Sequence, residues 1–451
     1  MEKLFKLKEN GTDVRTEVLA GITTFMTMAY ILAINPSMLS AAGMDATAVL
    51  IATCLSAFFG TMCMALFANY PFALAPGMGL NAYFAYTVCL GMGYDWRVAL
   101  SAVAVEGIIF IVLSLTNVRE AIFNAIPSML KKGVSAGIGL YIAFIGLQGA
   151  HIVVNSDSTL ITYVSFRSKF GTEGICALLA LIGLFLTAIL YARNVKGSIL
   201  IGIIATWVLG ILCQAVGIYQ VTPEEGFYSL YPSLAITDFS KFSLTFGQVF
   251  KADFSGVSIS NFIAILFAFL FVDMFDTIGT LVGVATKADM LDKDEKLPRI
   301  KQALFADAIA TLVGAIFGTS TTTTYVESSA GVGAGARTGL ASVVTGLMFL
   351  LAIFFAPVFT AIPGFATAPA LIFVGFLMVT AVTDISFDDL TEAVPAYLCL
   401  LAMPLMYSIS EGIAIGVISY VIINLFTKKA KKITPLMYVL AVLFVAKYIF
   451  L

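Results

Sequence analysis

The chain has 451 residues, of which 60% are hydrophobic and only 12% are charged, and its mean hydropathy is +0.99. Soluble domains carry about 25% charged residues, so this composition excludes an ordinary soluble protein and indicates a membrane protein. The formal net charge of −2 gives no reason to expect nucleic acid as a partner.

Fourteen apolar segments follow one another and predict an all-α, multi-pass membrane protein with about fourteen spans. They cover residues 18–34, 46–68, 72–90, 97–116, 133–150, 172–192, 197–218, 259–285, 302–318, 324–340, 341–362, 367–383, 393–409 and 411–427. A fifteenth apolar stretch, residues 436–451, is only about 16 residues long, and either lies at the membrane interface or re-enters the bilayer.

Basic residues at the ends of the spans predict the orientation. Lysines and arginines precede span one and follow spans four, six, eight and fourteen, so all of them lie on one side of the membrane. The positive-inside rule makes that side cytoplasmic, and the N-terminus is therefore expected in the cytoplasm. The acidic loop 219–255 follows span seven and is expected outside.

Two spans have sequences that a simple helix does not accommodate. Residues 71–81 in span three contain two prolines and two glycines, and residues 318–328 in span ten contain a run of threonines. Both patterns predict extended backbone that leads into a short helix, and such backbone must be buried in protein or line a cavity. Span ten lies seven spans after span three, which indicates an inverted repeat with a binding site near the midplane. The alternative is two loops between shorter helices.

Acidic side chains inside these apolar spans predict function. Asp273, Asp276 and Thr280 lie at helical spacing in span eight, and Glu327 is followed by Ser328 in span ten. Neither stretch contains a basic residue, so the carboxyl groups are expected to bind a proton, a ligand or a cation. A purely structural role is the alternative for each of them.

Other polar residues in the spans have a simpler explanation. Glu106 and Asp307 are isolated in the sequence and are expected to make packing hydrogen bonds. Asn81 stands where the helix of span three begins, so it caps that helix, contacts a ligand, or does both.

Span one offers threonines and aromatic residues. Thr23, Thr24 and Thr27 are expected to bond back to their own helix. Phe25 and Tyr30 are expected to pack, although one aromatic ring of this span could stack on a flat substrate.

Cysteine and histidine usage argues against an enzyme. The six cysteines form no CxxC pair, and His151 is the single histidine, which we expect in a solvated loop. No HExxH or GxSxG motif is present. We therefore expect no metal, no cofactor and no catalytic activity.

The acidic residues suit a nucleobase. Its edge presents N–H donors beside carbonyl acceptors, and a buried carboxylate accepts N–H bonds well. Other polar solutes satisfy the same groups, so the residues alone predict a transporter of a polar solute that is coupled to a proton or another cation.

Four motifs make the interpretation more specific. Residues 11–36, 75–84, 275–281 and 322–328 resemble the AzgA-like purine permeases, which belong to the nucleobase:cation symporter group that includes uracil permeases. The resemblance implies a seven-plus-seven inverted repeat with a core domain over residues 1–132 and 256–362. It implies a gate domain over residues 133–255, which includes the extracellular loop, and over 363–451, which includes the C-terminal segment.

The resemblance also implies an activity. It is the import of purine nucleobases across the cytoplasmic membrane, coupled to a proton or to sodium, by an elevator-type alternating-access mechanism. Guanine and hypoxanthine are favoured over adenine. Uracil-type permeases carry a histidine in the span-eight motif where this chain has threonines, which argues against a pyrimidine. A homodimer is the assembly that the wider group suggests.

The resemblance assigns site residues as well. Asp276 and Glu327 are expected to hold the edge of the base, and Asp273 or Glu327 to take part in proton coupling. The remaining expected contacts come from Thr280, Asn81, Ala82, Thr323, Thr324, Ser328, Phe25 and Thr27.

Three rival functions remain open at this point. An anion carrier of the sulfate-transporter type is expected to have a basic residue at the site and a soluble C-terminal domain. A passive channel for polar solutes would be unable to build a gradient. A membrane enzyme would need a nucleophile with its base, or a metal cluster.

Overall fold

A computed structural model of the protein describes residues 2–115, 126–167, 169–232, 235–287, 290 and 297–450. Within these residues the α-helices are α1 Glu2–Phe5, α2 Val14–Met28, α3 Ile31–Ala41, α4 Ala46–Cys63, α5 Met78–Ala82, α6 Trp96–Ser114, α7 Ser128–Gly149, α8 Ile175–Ala192, α9 Ser198–Ala215, α10 Ile259–Lys287, α11 Ile300–Phe317, α12 Ser328–Gly333, α13 Gly339–Ala352, α14 Ala356–Phe359, α15 Gly364–Val379, α16 Leu390–Leu405, α17 Ile409–Phe426 and α18 Pro435–Phe450. The strands are β1 Leu74–Pro76, β2 Val153–Ser156, β3 Leu160–Tyr163 and β4 Thr322–Thr324. Wider π-helical turns continue α4 over Met64–Ala68 and α5 over Tyr83–Gly91, and one precedes α8 over Phe170–Gly174.

Helix is present in each of the fourteen apolar segments. In the described part of the chain, ten helices are long and apolar enough to cross a membrane, and three apolar helices are shorter. The chain is therefore a multi-pass membrane protein, as its hydropathy predicts.

The two interrupted spans meet in the interior. β1 and β4 pair in antiparallel register, with Ala75 opposite Thr323, and both strands are fully buried. Gly77 donates its N–H to Thr321 O over 3.0 Å, and Tyr325 N–H donates to Ala73 O over 2.9 Å. Each strand thus satisfies the main-chain groups of the other, which is a requirement for extended backbone at membrane depth. The predicted extended segments are confirmed, and their pairing is an additional finding.

The long helices pack in two groups. α2, α4, α6, α11 and α13 form the first group, with α6 and α4 against α11 and with α2 and α4 against α13, and α4, α10 and α11 contact the strand pair. In the second group α7 packs on α15 and α16, and α8, α9 and α17 complete it.

Small residues allow close approach in the second group. A Cβ atom on Gly139 of α7 would lie 2.6 Å from Gly375 O of α15, and one on Gly375 would lie 2.4 Å from Gly139 O. The two backbones therefore touch directly, as helices in membranes do at small-residue contacts.

The loop between α9 and α10 covers one end of the first group. Lys241 Nζ forms an ion pair with Asp45 Oδ2 at 3.1 Å, at the start of α4. Gly247 N–H donates to Ile316 O over 2.7 Å at the end of α11, and the Thr237 hydroxyl donates to Ile353 O after α13 over 2.8 Å. This part of the loop therefore packs on α4, α11 and α13.

Two features differ from what the sequence predicts. β2 and β3 form a two-stranded hairpin between α7 and α8, with Leu160 and Tyr163 largely exposed. His151, expected in a solvated loop, is half-buried with its ring 5.6 Å from that of Phe227. The available strand signal was the β-branched and aromatic residues at 153–154 and 159–163, on either side of the turn-forming residues 155–158.

The C-terminal apolar stretch forms the continuous helix α18, which packs beside α17. Its Phe444 ring lies 5.7 Å from that of Phe267 on α10, and the Tyr448 hydroxyl donates to the Glu411 carboxylate. Before this helix, Lys429 and Lys432 pair with Asp389 at 2.9 and 3.0 Å and join the start of α16 to the α17–α18 connection.

Candidate functional site

The strand pair brings the interrupted spans and α10 to one point. A Cβ atom on Gly77 would lie 2.8 Å from Thr323 Cγ2 and 3.5 Å from Asp276 Oδ2. Gly77 immediately precedes α5, and Asp276 lies on α10, so the Asp276 carboxylate faces the start of α5. The Asp276 carboxylate is also within electrostatic reach of Asp307 and Glu327.

Exposure separates the acidic residues into two classes. Asp276 and Glu327 are half-buried, whereas Asp273, Asp307 and Glu106 have no exposed surface. A fully buried carboxylate needs hydrogen-bond partners within the protein, whereas a partly exposed one can accept from a ligand as well. Asp276 and Glu327 are therefore the two carboxylates of this cluster that keep some exposed surface.

The buried carboxylates belong to a network around the strands. The Thr277 hydroxyl lies 3.0 Å from an oxygen of both Asp273 and Asp307, and 2.6 Å from the Thr323 hydroxyl. The Thr324 N–H and hydroxyl lie 3.2 and 3.3 Å from Asp307 Oδ1. Thr277 thus links α10, α11 and β4.

Glu106 and Asp307 make the packing hydrogen bonds that were predicted for them. The Thr321 hydroxyl donates to Glu106 Oε2 over 2.7 Å. Asp307 is nevertheless not isolated in space, because it shares the Thr277 network with Asp273. Its isolation in the sequence reflects only that its partners lie on other helices.

Three predicted substrate contacts hold the site together in this conformation. Asn81 Nδ2 donates to Pro76 O over 3.4 Å, and its Oδ1 accepts from the Ser320 hydroxyl. The Ser328 hydroxyl accepts from Ala73 N–H over 3.0 Å. Asn81 and Ser328 therefore anchor α5 and α12 near the strands, and Ala82 is fully buried.

Span one lies beside Glu327. The Thr27 hydroxyl lies 3.5 Å from Glu327 O and 2.8 Å from Thr24 O in its own helix. Thr23 and Thr24 bond back to their helix as predicted, over 2.9 and 3.2 Å. Phe25 packs edge-on against Phe349 of α13 with ring centroids 5.1 Å apart, so its ring is engaged within the protein here. Thr280, one turn beyond Asp276 on α10, is half-buried.

Two residues of this region were not singled out by sequence reasoning. Tyr30, expected to pack, donates its hydroxyl to Glu327 Oε1. Glu17, fully buried at the start of α2, accepts from the N–H groups of Arg337, Thr338 and Ala341 over 2.8, 3.2 and 3.1 Å, at the start of α13. A signal was available for Tyr30, since it lies three residues after Thr27 on one helical face.

The described residues contain no group of three histidine, cysteine, aspartate or glutamate side chains that could hold a metal ion. The six cysteines are all free thiols. The polar groups that the structure places at the site are carboxylates, hydroxyls and main-chain groups.

Comparison with known proteins assigns the family. The Permease family (Xan_ur_permease) matches residues 15–415. The guanine/hypoxanthine permease PbuG of Bacillus subtilis is 45% identical over 460 residues, which cover 100% of both chains. The adenine permease AdeP of Escherichia coli is 41% identical over 451 residues, which cover 100% of this chain and 96% of that protein.

A solved structure supports the fold. The transmembrane domain of the bicarbonate transporter BicA from a cyanobacterium has a TM-score of 0.62 and covers 89% of this chain and 97% of that chain, at 14% identity. At that identity the likeness concerns the fold alone. The family match and the two relatives, taken with the helices that cross the membrane, establish that this chain belongs to the permease family and is a membrane transporter rather than an enzyme.

Proposed function

We propose that the protein imports purine nucleobases across the cytoplasmic membrane, with guanine and hypoxanthine preferred and adenine as a further substrate. One observation carries the proposal. Two half-buried carboxylates lie beside the strand pair, Asp276 facing Gly77 after β1 and Glu327 following β4 in the chain, while the neighbouring carboxylates are buried in the protein. The relatives named for adenine and for guanine/hypoxanthine support the substrate class.

Asp276 and Glu327 hold the edge of the base in this proposal. Carboxylates accept N–H bonds from the ring and from its amino group, and such charge-assisted bonds are the strong ones. Thr280 extends the same face of α10, and Thr27 borders Glu327 from span one. Asn81, Ala82, Thr323, Thr324 and Ser328 shape the floor of the site, and Phe25 flanks the base once its contact with Phe349 rearranges.

Transport is coupled to a proton. Asp273 and Glu327 are the proposed proton carriers. Thr277 connects Asp273 to the strand pair, because it lies within hydrogen-bond distance of Asp273, Asp307 and Thr323. A proton that binds to or leaves this network would change the hydrogen bonds of Thr323 at the floor of the site. Sodium is the alternative coupling ion.

The proposed architecture has fourteen spans in a seven-plus-seven inverted repeat with a cytoplasmic N-terminus. The helix packing supports it: α6 packs on α10 and α11, and α13 packs in the equivalent way on α2 and α4. The core domain (1–132 and 256–362) slides against the gate domain (133–255 and 363–451). Residues 237–251 are an exception within the gate range: because this part of the loop packs on core helices, we infer that it moves with the core. A homodimer is the proposed assembly.

Uptake by cells that lack their own purine permeases tests the function. Saturable uptake of radiolabelled hypoxanthine and guanine is expected for the wild type, and a protonophore is expected to abolish it. Asp276→Asn and Glu327→Gln keep the shape of each side chain but remove its charge, and uptake should fall to background in both.

Matched controls are Asp253→Asn and Glu224→Gln, the same changes at exposed positions of the loop after α9. They should transport normally. Absence of purine uptake in abundant wild-type protein would refute the purine proposal, and uptake of sulfate or bicarbonate would favour an anion carrier. Uptake that never exceeds equilibrium would indicate a channel. Normal uptake by both site variants would refute the site.

A further inference from the structure

Tyr30 lies at an interruption of span one. α2 ends at Met28 and α3 begins at Ile31, so Tyr30 lies in the turn that connects the two helices. It has no exposed surface, and its hydroxyl donates to Glu327 Oε1. Among the residues that the structure describes, it is the one side chain that donates to this carboxylate.

The same span also holds the backbone that carries Glu327. A Cβ atom on Gly331 of α12 would lie 2.0 Å from Thr24 Oγ1 and 2.9 Å from Ala20 O. α12 is therefore seated directly on α2, without space for a side chain between them. The Thr27 hydroxyl adds a contact to Glu327 O at 3.5 Å. Span one thus determines the position of Glu327 through both its main chain and its side chain.

We propose that Tyr30 is a positioning and specificity-determining residue for nucleobase recognition. Its hydroxyl donates to Oε1 of Glu327 and so leaves Oε2 to face the ligand. While Glu327 is deprotonated in the transport cycle, its Oε2 is an acceptor and requires an N–H group of the base in front of it. Ligands with a carbonyl or an unprotonated ring nitrogen at that place are rejected, since two acceptors would face each other without a proton. This inference rests on the proposed function.

Tyr30→Phe tests the hydroxyl in the full-length protein. It keeps the buried ring and removes only the donor. We expect the KM for hypoxanthine to rise at least about tenfold, the typical effect of a lost hydrogen bond to a charged group, while the maximal rate changes less than about threefold. Competition should also become less selective: the ratio of the inhibition constants of unsubstituted purine and hypoxanthine should fall toward one.

Tyr219→Phe is the matched control. Tyr219 is also buried, and its hydroxyl donates to Tyr228 O over 2.9 Å in the loop region after α9, away from the site. It should leave both kinetic constants unchanged. Where Tyr30→Phe reaches the membrane in small amounts, the hypoxanthine Kd of the purified protein, measured by radioligand binding, replaces the KM and is expected to rise by the same factor.

The outcomes are separable. A wild type without saturable purine uptake refutes the proposed function and this inference with it. An active wild type, combined with an unchanged KM or Kd and unchanged selectivity in Tyr30→Phe, refutes the role of Tyr30 alone. A fall in abundance and maximal rate with an unchanged KM also refutes it, because that pattern indicates a merely structural hydroxyl.

Discussion

The contact between Gly139 and Gly375 gives a quantitative prediction for the second helix group. The β-carbon of Gly139→Ala would lie 2.6 Å from a backbone oxygen, which cannot rotate away as a side chain can. Restoring an ordinary contact requires α7 and α15 to separate by about 0.8 Å. Overpacking of this kind destabilises proteins by about 1–3 kcal/mol. We expect Gly139→Ala to lower the thermal unfolding midpoint of the purified protein in detergent.

Gly149→Ala is the control on the same helix. No atom lies within 4 Å of the added methyl group, and Gly149, the last residue of α7, is not one of the glycines with a left-handed backbone. This variant should therefore unfold at the wild-type temperature or slightly above it. Equal midpoints for Gly139→Ala and Gly149→Ala would show that α7 and α15 have space between them, and would refute the argument from backbone contact.

Three further predictions concern the site and its supports. Gly77→Ala brings a methyl group to 2.8 Å from Thr323 Cγ2 and crowds the carboxylate of α10, so initial uptake should fall at least about tenfold at normal abundance; Gly333→Ala, which meets open space, should transport normally, and equal rates would contradict the geometry. Glu17→Gln removes a buried charge that accepts three N–H bonds, so the free energy of unfolding should fall by about 1.5–3 kcal/mol and the unfolding midpoint should fall with it. An unchanged midpoint would contradict that role. Hydrogen bonds from Thr391, Lys429 and Lys432 hold the pKa of Asp389 well below its usual value, so its ion pairs stabilise the fold above the ordinary aspartate pKa and lose this effect as the pH falls toward the lowered one. The difference in midpoint between wild type and Asp389→Asn should therefore shrink from pH 7 to pH 3, and a constant difference would count against the ion pairs.

Local chemistry explains what could be predicted from the sequence. Hydropathy located the long apolar helices, because the length of an apolar run reports directly on the thickness of the bilayer. The interruptions at 71–81 and 318–328 were predictable because proline, glycine and consecutive threonines act on their own backbone. Asp276 and Glu327 were selected because a carboxylate among apolar residues is unusual wherever it occurs.

Contacts between distant parts of the chain could not be predicted from local sequence patterns. The pairing of Ala75 with Thr323, the hydrogen bond from Tyr30 to Glu327 and the acceptance of three N–H groups by Glu17 each join residues more than 240 positions apart. No local pattern specifies such partners, so Tyr30 looked like an ordinary packed aromatic. The β2–β3 hairpin was missed for a different reason, since two strands of four residues give a weak signal beside the long apolar runs on both sides.

The pairing of β1 with β4 has a consequence for biogenesis. Leu74 pairs with Thr324, which the ribosome adds 250 residues later. At about 5–20 residues per second, that interval lasts roughly 12–50 s. During this time the first half of the protein already contains an extended segment whose main-chain groups lack their partner strand, in a membrane that offers no water to replace it. Insertion of this half must therefore be delayed, or the segment must be shielded by the insertion machinery until its partner emerges. A nascent chain that stops before β4 should consequently be recognised and degraded as incomplete.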